Sequence, residues 1–284
     1  MGLTCRALPR LGYFFYQFLF KKPTPLPPKL VGPFKILNKT INFENKIDAL
    51  LYHRCYHDSP EFLTFAVNDK NPEIRLCFYR LFPKMQPVIV KVERNQEKKD
   101  SKILPNYTHI CDSVEIKSCF ELATKKGSST SNSNPWHKKI TTKHEIISDS
   151  KTIDTVCDTI TNLGIHVPMK GDVGYRDLQI TNKKLIKNFT QIHNSTNDQI
   201  RKDKFKPLLE INNNIQYAND ECDFGMCYEF GFDLFHFGSF YLNKFCLRTL
   251  PLAYQLLGWD EWKEVIEKHM ADRRDELEVD GFFA

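Results

Sequence analysis

One stretch constrains this chain more than any other: Asn219-Asp-Glu-Cys-Asp-Phe-Gly-Met-Cys-Tyr-Glu-Phe-Gly-Phe-Asp-Leu-Phe235. Five carboxylates sit there among aromatics and two glycines, between two amphipathic segments. Elsewhere the chain keeps charge apart from apolar surface; here it mixes them. Carboxylates set against bulky apolar side chains are poised for perturbed pKa values, the raw material of an active site. The plain structural alternative is an acidic turn followed by a buried helix whose carboxylates face water. Residue chemistry alone leaves both open.

The rest of the composition sets the scale. A chain of 284 residues makes one large domain or two ordinary ones. Hydrophobic content of 41%, with 22 Phe, supplies a sizeable core and excludes disorder throughout. A net charge of +5 suits work near polyanions but does not point to direct sequence-specific nucleic-acid binding. The nine cysteines are odd in number and irregularly spaced, which reads as free thiols in a reducing compartment. Cys222 and Cys227, with His236 and His269 further on, raise a metal site. No CxxC pair accompanies them, so no metal is expected. The sequons at Asn38, Asn106, Asn188 and Asn194 carry weight only in a secreted chain.

Arg6 and Arg10 precede a charge-free run, Leu11 to Phe20, which is too short to span a bilayer and lacks a small-x-small cleavage site. Residues 1–29 therefore read as an unstructured or aberrant leader ending in the Pro-rich spacer 23–29, and no membrane association is expected. Residues 30–127 read as an α+β N-terminal lobe. Residues 45–52 are helical in pattern, and Asp58-Ser-Pro-Glu-Phe62 marks a turn. Phe62–Asn68, Ile74–Leu81 and Val88–Val92 have the aromatic and β-branched content of strands, and their short loops imply antiparallel pairing. Asp112–Thr124 has helical spacing.

Residues 128–149 open on Ser-Ser-Thr-Ser-Asn-Ser-Asn-Pro and read as a flexible link. Residues 150–284 read as a helical C-terminal lobe carrying the site. Its expected helices cover Ser150–Leu163, Thr181–Thr190, Asn197–Lys204 and a segment starting at Pro207 with the stripe Leu208, Leu209, Ile211, Ile215 and Ala218. Glu229–Lys244 then reads as a very aromatic segment buried on most sides, and Leu250–Leu257 and Glu261–Arg273 finish the chain as helices. Between them Gly171-Asp-Val-Gly-Tyr-Arg-Asp177 is a glycine-bracketed loop presenting Tyr175 and Arg176. The fold class is α+β: a small antiparallel-sheet N-terminal lobe packed on a mainly α-helical C-terminal lobe.

No GxxxxGK[ST], GxGxxG, HExxH, GxSxG or EF-hand motif occurs. The glycine pair Gly225 and Gly231 suits helix packing better than phosphate binding. A stand-alone ATPase, zinc protease or serine hydrolase is therefore disfavoured.

Four blocks carry more: Asp172-Val-Gly-Tyr-Arg-Asp-Leu178, Gln216 to Met226, Asp233-Leu-Phe-His-Phe-Gly-Ser239 and Leu250-Pro-Leu-Ala-Tyr254. In order and spacing they resemble the histone PARylation factor family, with weaker echoes in Leu30–Leu37 and Asp58–Phe62. The resemblance implies an accessory factor that is not an enzyme on its own. Such a factor docks on the catalytic domain of a DNA-damage-activated poly(ADP-ribose) polymerase and redirects ADP-ribose onto serine of histones and other proteins. It implies a nuclear location at DNA breaks, a role in the DNA damage response, and a monomer before docking. No cofactor would be bound by this chain alone, NAD being held by the partner.

By the same resemblance the catalytic glutamate falls on Glu221 and the docking aspartate on Asp220. Tyr175 and Arg176 hold the polymerase, and Tyr217 stands at the contact surface where relatives commonly carry Phe. Asp223, with Asp220 and Glu221, gives a negative field for a basic peptide. As general base, Glu221 would take the serine proton, a contribution of about 10²–10⁴-fold. A helix C-terminus just before Glu221 disfavours its charge, whereas a nearby Arg176 favours it. The competing readings are a non-catalytic polymerase or chromatin interaction module, and a free-standing hydrolase pairing Glu221 with Asp223 or Asp220. The hydrolase needs carboxylates facing each other across a substrate, which neighbours in one turn rarely do.

Overall fold

The computed structural model describes residues 29–37, 43, 48, 51–68, 74–83, 87–93, 106–110, 155–168, 173–271 and 273. Those between 29 and 110 belong to one compact unit and those between 155 and 273 to another. The fold is α+β, an antiparallel sheet in the first unit and mainly helices in the second.

The first unit is a five-stranded antiparallel sheet in the order β1 (Lys29–Leu30), β2 (Phe62–Val67), β3 (Ile74–Tyr79), β4 (Val88–Glu93) and β5 (Asn106–Ile110). Each strand pairs antiparallel with its chain neighbour, through short connections for β2–β3 and β3–β4 and longer ones for β1–β2 and β4–β5. All of β3 is buried, and Phe65 of β2 stacks on Phe78 of β3 at 4.3 Å between ring centres. A short helix α1 (Pro33–Leu37) adds Phe34 to that cluster. The turn expected at 58–62 is fixed by one guanidinium: Arg54 donates to the carbonyls of Asp58, Ser59 and Phe62 at 3.0, 2.7 and 2.9 Å. β2, β3 and β4 match the three expected strands; β1 and β5 were not anticipated. Asp48 and Leu51 are helical, in line with the pattern at 45–52, most of which lies outside the described residues. So do the expected helix Asp112–Thr124, the link 128–149 and the Pro-rich spacer up to 28.

The second unit opens with a correction. The helix expected over Ser150–Leu163 is absent from its described part, where β6 (Thr155–Cys157) pairs antiparallel with β7 (Ile165–His166). Helical spacing of Val156, Cys157 and Ile160 misled, whereas the β-branched residues 155, 156, 159, 160 and 161 follow strand and turn preferences.

Four helices follow: α2 (Asn182–His193), α3 (Asp198–Asp220), α4 (Phe224–Phe237) and, after a tight turn at Phe240–Leu242, α5 (Asn243–Leu256). α6 (Asp260–Ala271) ends the described chain but for Arg273, burying Trp262, Val265, Ile266 and Met270 as their spacing predicts. α3 corrects a second expectation. Pro207 lies inside one continuous helix rather than at a helix start, and Leu209 is exposed while Leu208, Ile211, Ile215 and Ala218 face the core. Its first turns carry Arg201, Lys202, Lys204 and Lys206, and its last residue is Asp220.

Within the aromatic segment Glu229–Lys244 the helix stops at Gly238, whose φ is 73°. α4 is the axis of this unit, with every residue from Gly225 to Phe237 buried. Full burial of each of its large apolar side chains stabilises by about 1.5–3 kcal/mol. The expected packing role of Gly231 holds, since a Cβ there would lie 2.8 Å from Leu250 Cα of α5. Among the described residues no helix is long and apolar enough to cross a membrane.

Candidate functional site

α3 stops at Asp220 and α4 starts at Phe224, so the chain reverses within Glu221, Cys222 and Asp223. Two reversed backbone bonds close the end of α3: Asp223 N–H to Ala218 O at 2.8 Å and Cys222 N–H to Asn219 O at 3.1 Å. This helix stop ordinarily places glycine in its left-handed position. Cys222 occupies it here, with φ 64°, a conformation that costs an L-residue about 1–2 kcal/mol. The turn thus lies between the negative end of one helix and the positive end of the next.

The loop carrying Tyr175 and Arg176 is laced onto this turn by backbone. Gly174 N–H donates to Cys222 O at 2.9 Å, and Gly225 N–H donates to Gly174 O at 3.1 Å. Neither glycine has room for a side chain. A Cβ on Gly174 would meet Asp223 Oδ1 at 2.2 Å, and one on Gly225 would meet the Tyr175 ring at 2.8 Å and Val167 at 2.9 Å.

That approach delivers Arg176 to the turn. Its Nη2 donates to Glu221 Oε2 and pairs with Asp223 Oδ2 at 2.9 Å, while Nε donates to the same Asp223 oxygen at 3.1 Å. The sequence holds no Lys or Arg between Lys206 and Lys244, so the acidic turn takes its cation from a remote segment. Asp223 stands at the N-cap of α4, yet its side chain caps no backbone N–H, being turned to Arg176.

The other face of the loop points inward. Tyr175 donates its hydroxyl to Glu229 Oε2 at 2.8 Å, and Glu229 is only 4% exposed. Burial pushes the Glu229 carboxyl up to about 7, with hydrogen bonds from Tyr175 and the Cys157 thiol pulling it back and Asp177 adding to the rise. One turn later Asp233, wholly buried, accepts the Ile160 N–H at 3.1 Å through Oδ1, and burial holds its carboxyl well above the usual range. Two carboxylates of α4 therefore anchor two different segments.

The residues singled out in the sequence fall as follows. Arg176, Glu221 and Asp223 form one ion-paired cluster, and Tyr175 lies beneath it. Tyr217, Asp220 and Glu221, at i, i+3 and i+4, share the exposed end of α3, Tyr217 being 65% exposed. Asp223 is drawn into the cluster, its side chain 24% exposed against 65% for Glu221. Cys227 donates to Thr249 O, and His236 and His269 are buried against Phe235. Among the described residues no group of three or more His, Cys, Asp or Glu could hold a metal, and Cys77, Cys157, Cys222, Cys227 and Cys246 form no disulfide. Sequence reasoning missed Glu229 and Cys157 as partners of Tyr175. The signal available was a lone glutamate and a lone aspartate, four apart, in an otherwise apolar helix.

A family model described as Histone PARylation factor 1 matches residues 20–273. The chain belongs to the histone PARylation factor 1 family. It is 32% identical over 294 residues to Histone PARylation factor 1 of Mus musculus, covering 95% of this chain and 84% of that one. The Bos taurus protein of the same name is 33% identical over 262 residues, 86% of this chain and 75% of that one. The Danio rerio protein is 32% identical over 273 residues, covering 86% and 74%. The match includes the whole described site, from Cys157 through Asp233.

Proposed function

We propose that this protein docks on the catalytic domain of a poly(ADP-ribose) polymerase and completes a joint active site there, with Glu221 as the general base for serine ADP-ribosylation. The observation that carries the reading is the disposition of Glu221. Its side chain is 65% exposed at a helix end, and Arg176 holds it through one oxygen. A carboxylate so tethered is aimed without being enclosed, which suits a base that meets its substrate only when a second protein closes over it.

NAD, held by the partner, supplies the ADP-ribosyl group. Glu221 takes the hydroxyl proton of serine as the serine oxygen bonds to the ribose carbon that nicotinamide leaves. Arg176 keeps the base oriented. Tyr217 and Asp220, on the same exposed helix end, form the docking edge together with the Tyr175–Arg176 loop. The negative field offered to a basic peptide rests mainly on Asp220, since Asp223 is neutralised by Arg176. On this reading the protein is no enzyme by itself. It works in the nucleus on chromatin at DNA breaks, with histones among its substrates.

The test titrates Glu221→Gln into activated polymerase with NAD and a histone peptide. Polymerase affinity is expected within about 3-fold of wild type, and serine modification is expected to fall by about 10²–10⁴-fold. Unchanged serine modification would make the protein a non-catalytic interaction module. Lost affinity would make Glu221 a docking residue instead.

A further inference from the structure

We infer that Glu229 is a positioning residue for this site, acting through Tyr175 to set Arg176 onto Glu221 and Asp223. The inference rests on the reading of Glu221 given above only for its functional consequence; the mechanical part stands on geometry.

Tyr175 and Arg176 are consecutive, so wherever the tyrosine is fixed the arginine must follow within one peptide unit, about 3.8 Å between Cα atoms. Tyr175 is fixed at both ends. Its ring lies against the bare backbone of Gly225 and near Val167, and its hydroxyl reaches Glu229 Oε2 at 2.8 Å. Glu229 in turn belongs to α4, where every residue from Gly225 to Phe237 is buried, so its carboxylate has little freedom to drift. The thiol of Cys157 on β6 lies beside both Tyr175 and Glu229. Three separate segments thus meet at one carboxylate, beneath the loop whose outer side carries the ion pair.

Burying an acid there is costly, and an apolar residue would fill the helix more cheaply. Among the described residues the groups acting on Glu229 are Tyr175, Cys157 and Asp177, with Asp233 one turn along, and none of these is a cation. What the carboxylate gains in return is the tyrosine hydroxyl. A role in orientation accounts for its presence where packing does not.

The experiment uses the full chain and two readouts. The Arg176 Nε–H resonance reports the Asp223 hydrogen bond in the free protein by NMR. Serine transfer with activated polymerase, NAD and a histone peptide reports the consequence. Glu229→Ala and Tyr175→Phe are each expected to move the Arg176 resonance toward the position of a solvated arginine. Each should also cut transfer by about 10-fold or more, the scale of a displaced catalytic group. The double variant should be no worse than either single one, because the two residues act in series. Glu229→Gln, which can still accept the hydroxyl, should restore both signals.

An unmoved Arg176 resonance in Tyr175→Phe, which leaves the buried carboxylate in place and only deletes the hydroxyl, overturns the inference. Losses that multiply in the double variant overturn it as well. A displaced Arg176 together with wild-type transfer by Glu221→Gln keeps the inference and defeats the joint-active-site reading.

Discussion

Gly174 lies so close to Asp223 that a Cβ on the glycine would stand 2.2 Å from the carboxylate oxygen Oδ1. The same carboxylate, through Oδ2, accepts from Arg176. Adding one methyl group at residue 174 therefore pushes on the ion pair that orients Glu221. Gly174→Ala is expected to cost about 1–3 kcal/mol of stability, the range of overpacking. Serine transfer should fall more than polymerase affinity. Thermal unfolding and a titration check the two effects, and a variant with wild-type transfer would mean that the loop moves aside freely.

Cys222 offers the opposite experiment. It holds a left-handed φ of 64° at a helix stop, where glycine is unstrained. Cys222→Gly removes about 1–2 kcal/mol of backbone strain and returns about 0.5–1 kcal/mol through the freer unfolded chain. A net gain of the order of 0.5–1 kcal/mol is expected. It would appear as a higher unfolding midpoint in denaturant, and a lower midpoint would show that the thiol packs more than it strains.

Glu229 should leave a signature in the pH dependence of stability. Its carboxyl sits at about 7 in the folded protein against an ordinary 4.5, so between those values the folded state binds the proton and the unfolded chain does not. Stability from this group is thus full below about 4.5, declines as pH rises, and levels off above about 7. The loss is of the order of 3 kcal/mol. Asp233 contributes a slope of the same sign, so the measured quantity is the difference between wild type and Glu229→Gln. The two curves should converge at low pH and separate toward neutrality. Parallel curves would show that Glu229 ionises as freely as an exposed acid.

The exposed end of α3 should behave as surface in the free protein and as interface in the complex. Tyr217→Ala and Asp220→Ala are expected to leave the unfolding midpoint within experimental error, since both side chains are exposed. Each should weaken polymerase binding by about 10-fold, an ordinary loss for an interface contact. Unchanged affinity in a titration would remove either residue from the docking edge.

Peptide choice follows from charge. With Asp220 unneutralised beside Glu221, a serine preceded by lysine should be modified faster than one preceded by glutamate. Raising the salt concentration should shrink the difference. Equal rates at low salt would show that the field is not used for selection.

Much of this was legible in the chain itself, and what was not has a physical cause. The strands of the first unit announce themselves through β-branched and aromatic runs between turn residues, as in Ile74–Tyr79. The β6–β7 hairpin does not, because what anchors Ile160 is a carboxylate 73 residues away on α4. Pro207 looked like a helix start because proline favours that position, but packing of Leu208, Ile211 and Ile215 carries the helix through it. Arg176 and Glu221 were named through resemblance, and their contact spans 45 residues that no local pattern bridges. The role of Glu229 has no local signal, since nothing in its own neighbourhood shows that a tyrosine hydroxyl arrives from 54 residues away.

The charge order along α3 has a consequence for encounters. Arg201, Lys202, Lys204 and Lys206 outnumber Asp198 and Asp203 near its start, while Asp220 and Glu221 close its end. Asp198 in the first turn suits the helix dipole, but the acidic last turn runs against it, so the helix owes much of its persistence to its buried face. Electrically, however, backbone and side chains point the same way and reinforce each other. A rod of 23 residues, about 35 Å long, then acts as a compass needle whose negative tip is the tip bearing the glutamate. A partner with a positive rim would turn that tip toward itself before any contact forms, and added salt would slow the approach more than it loosens the grip.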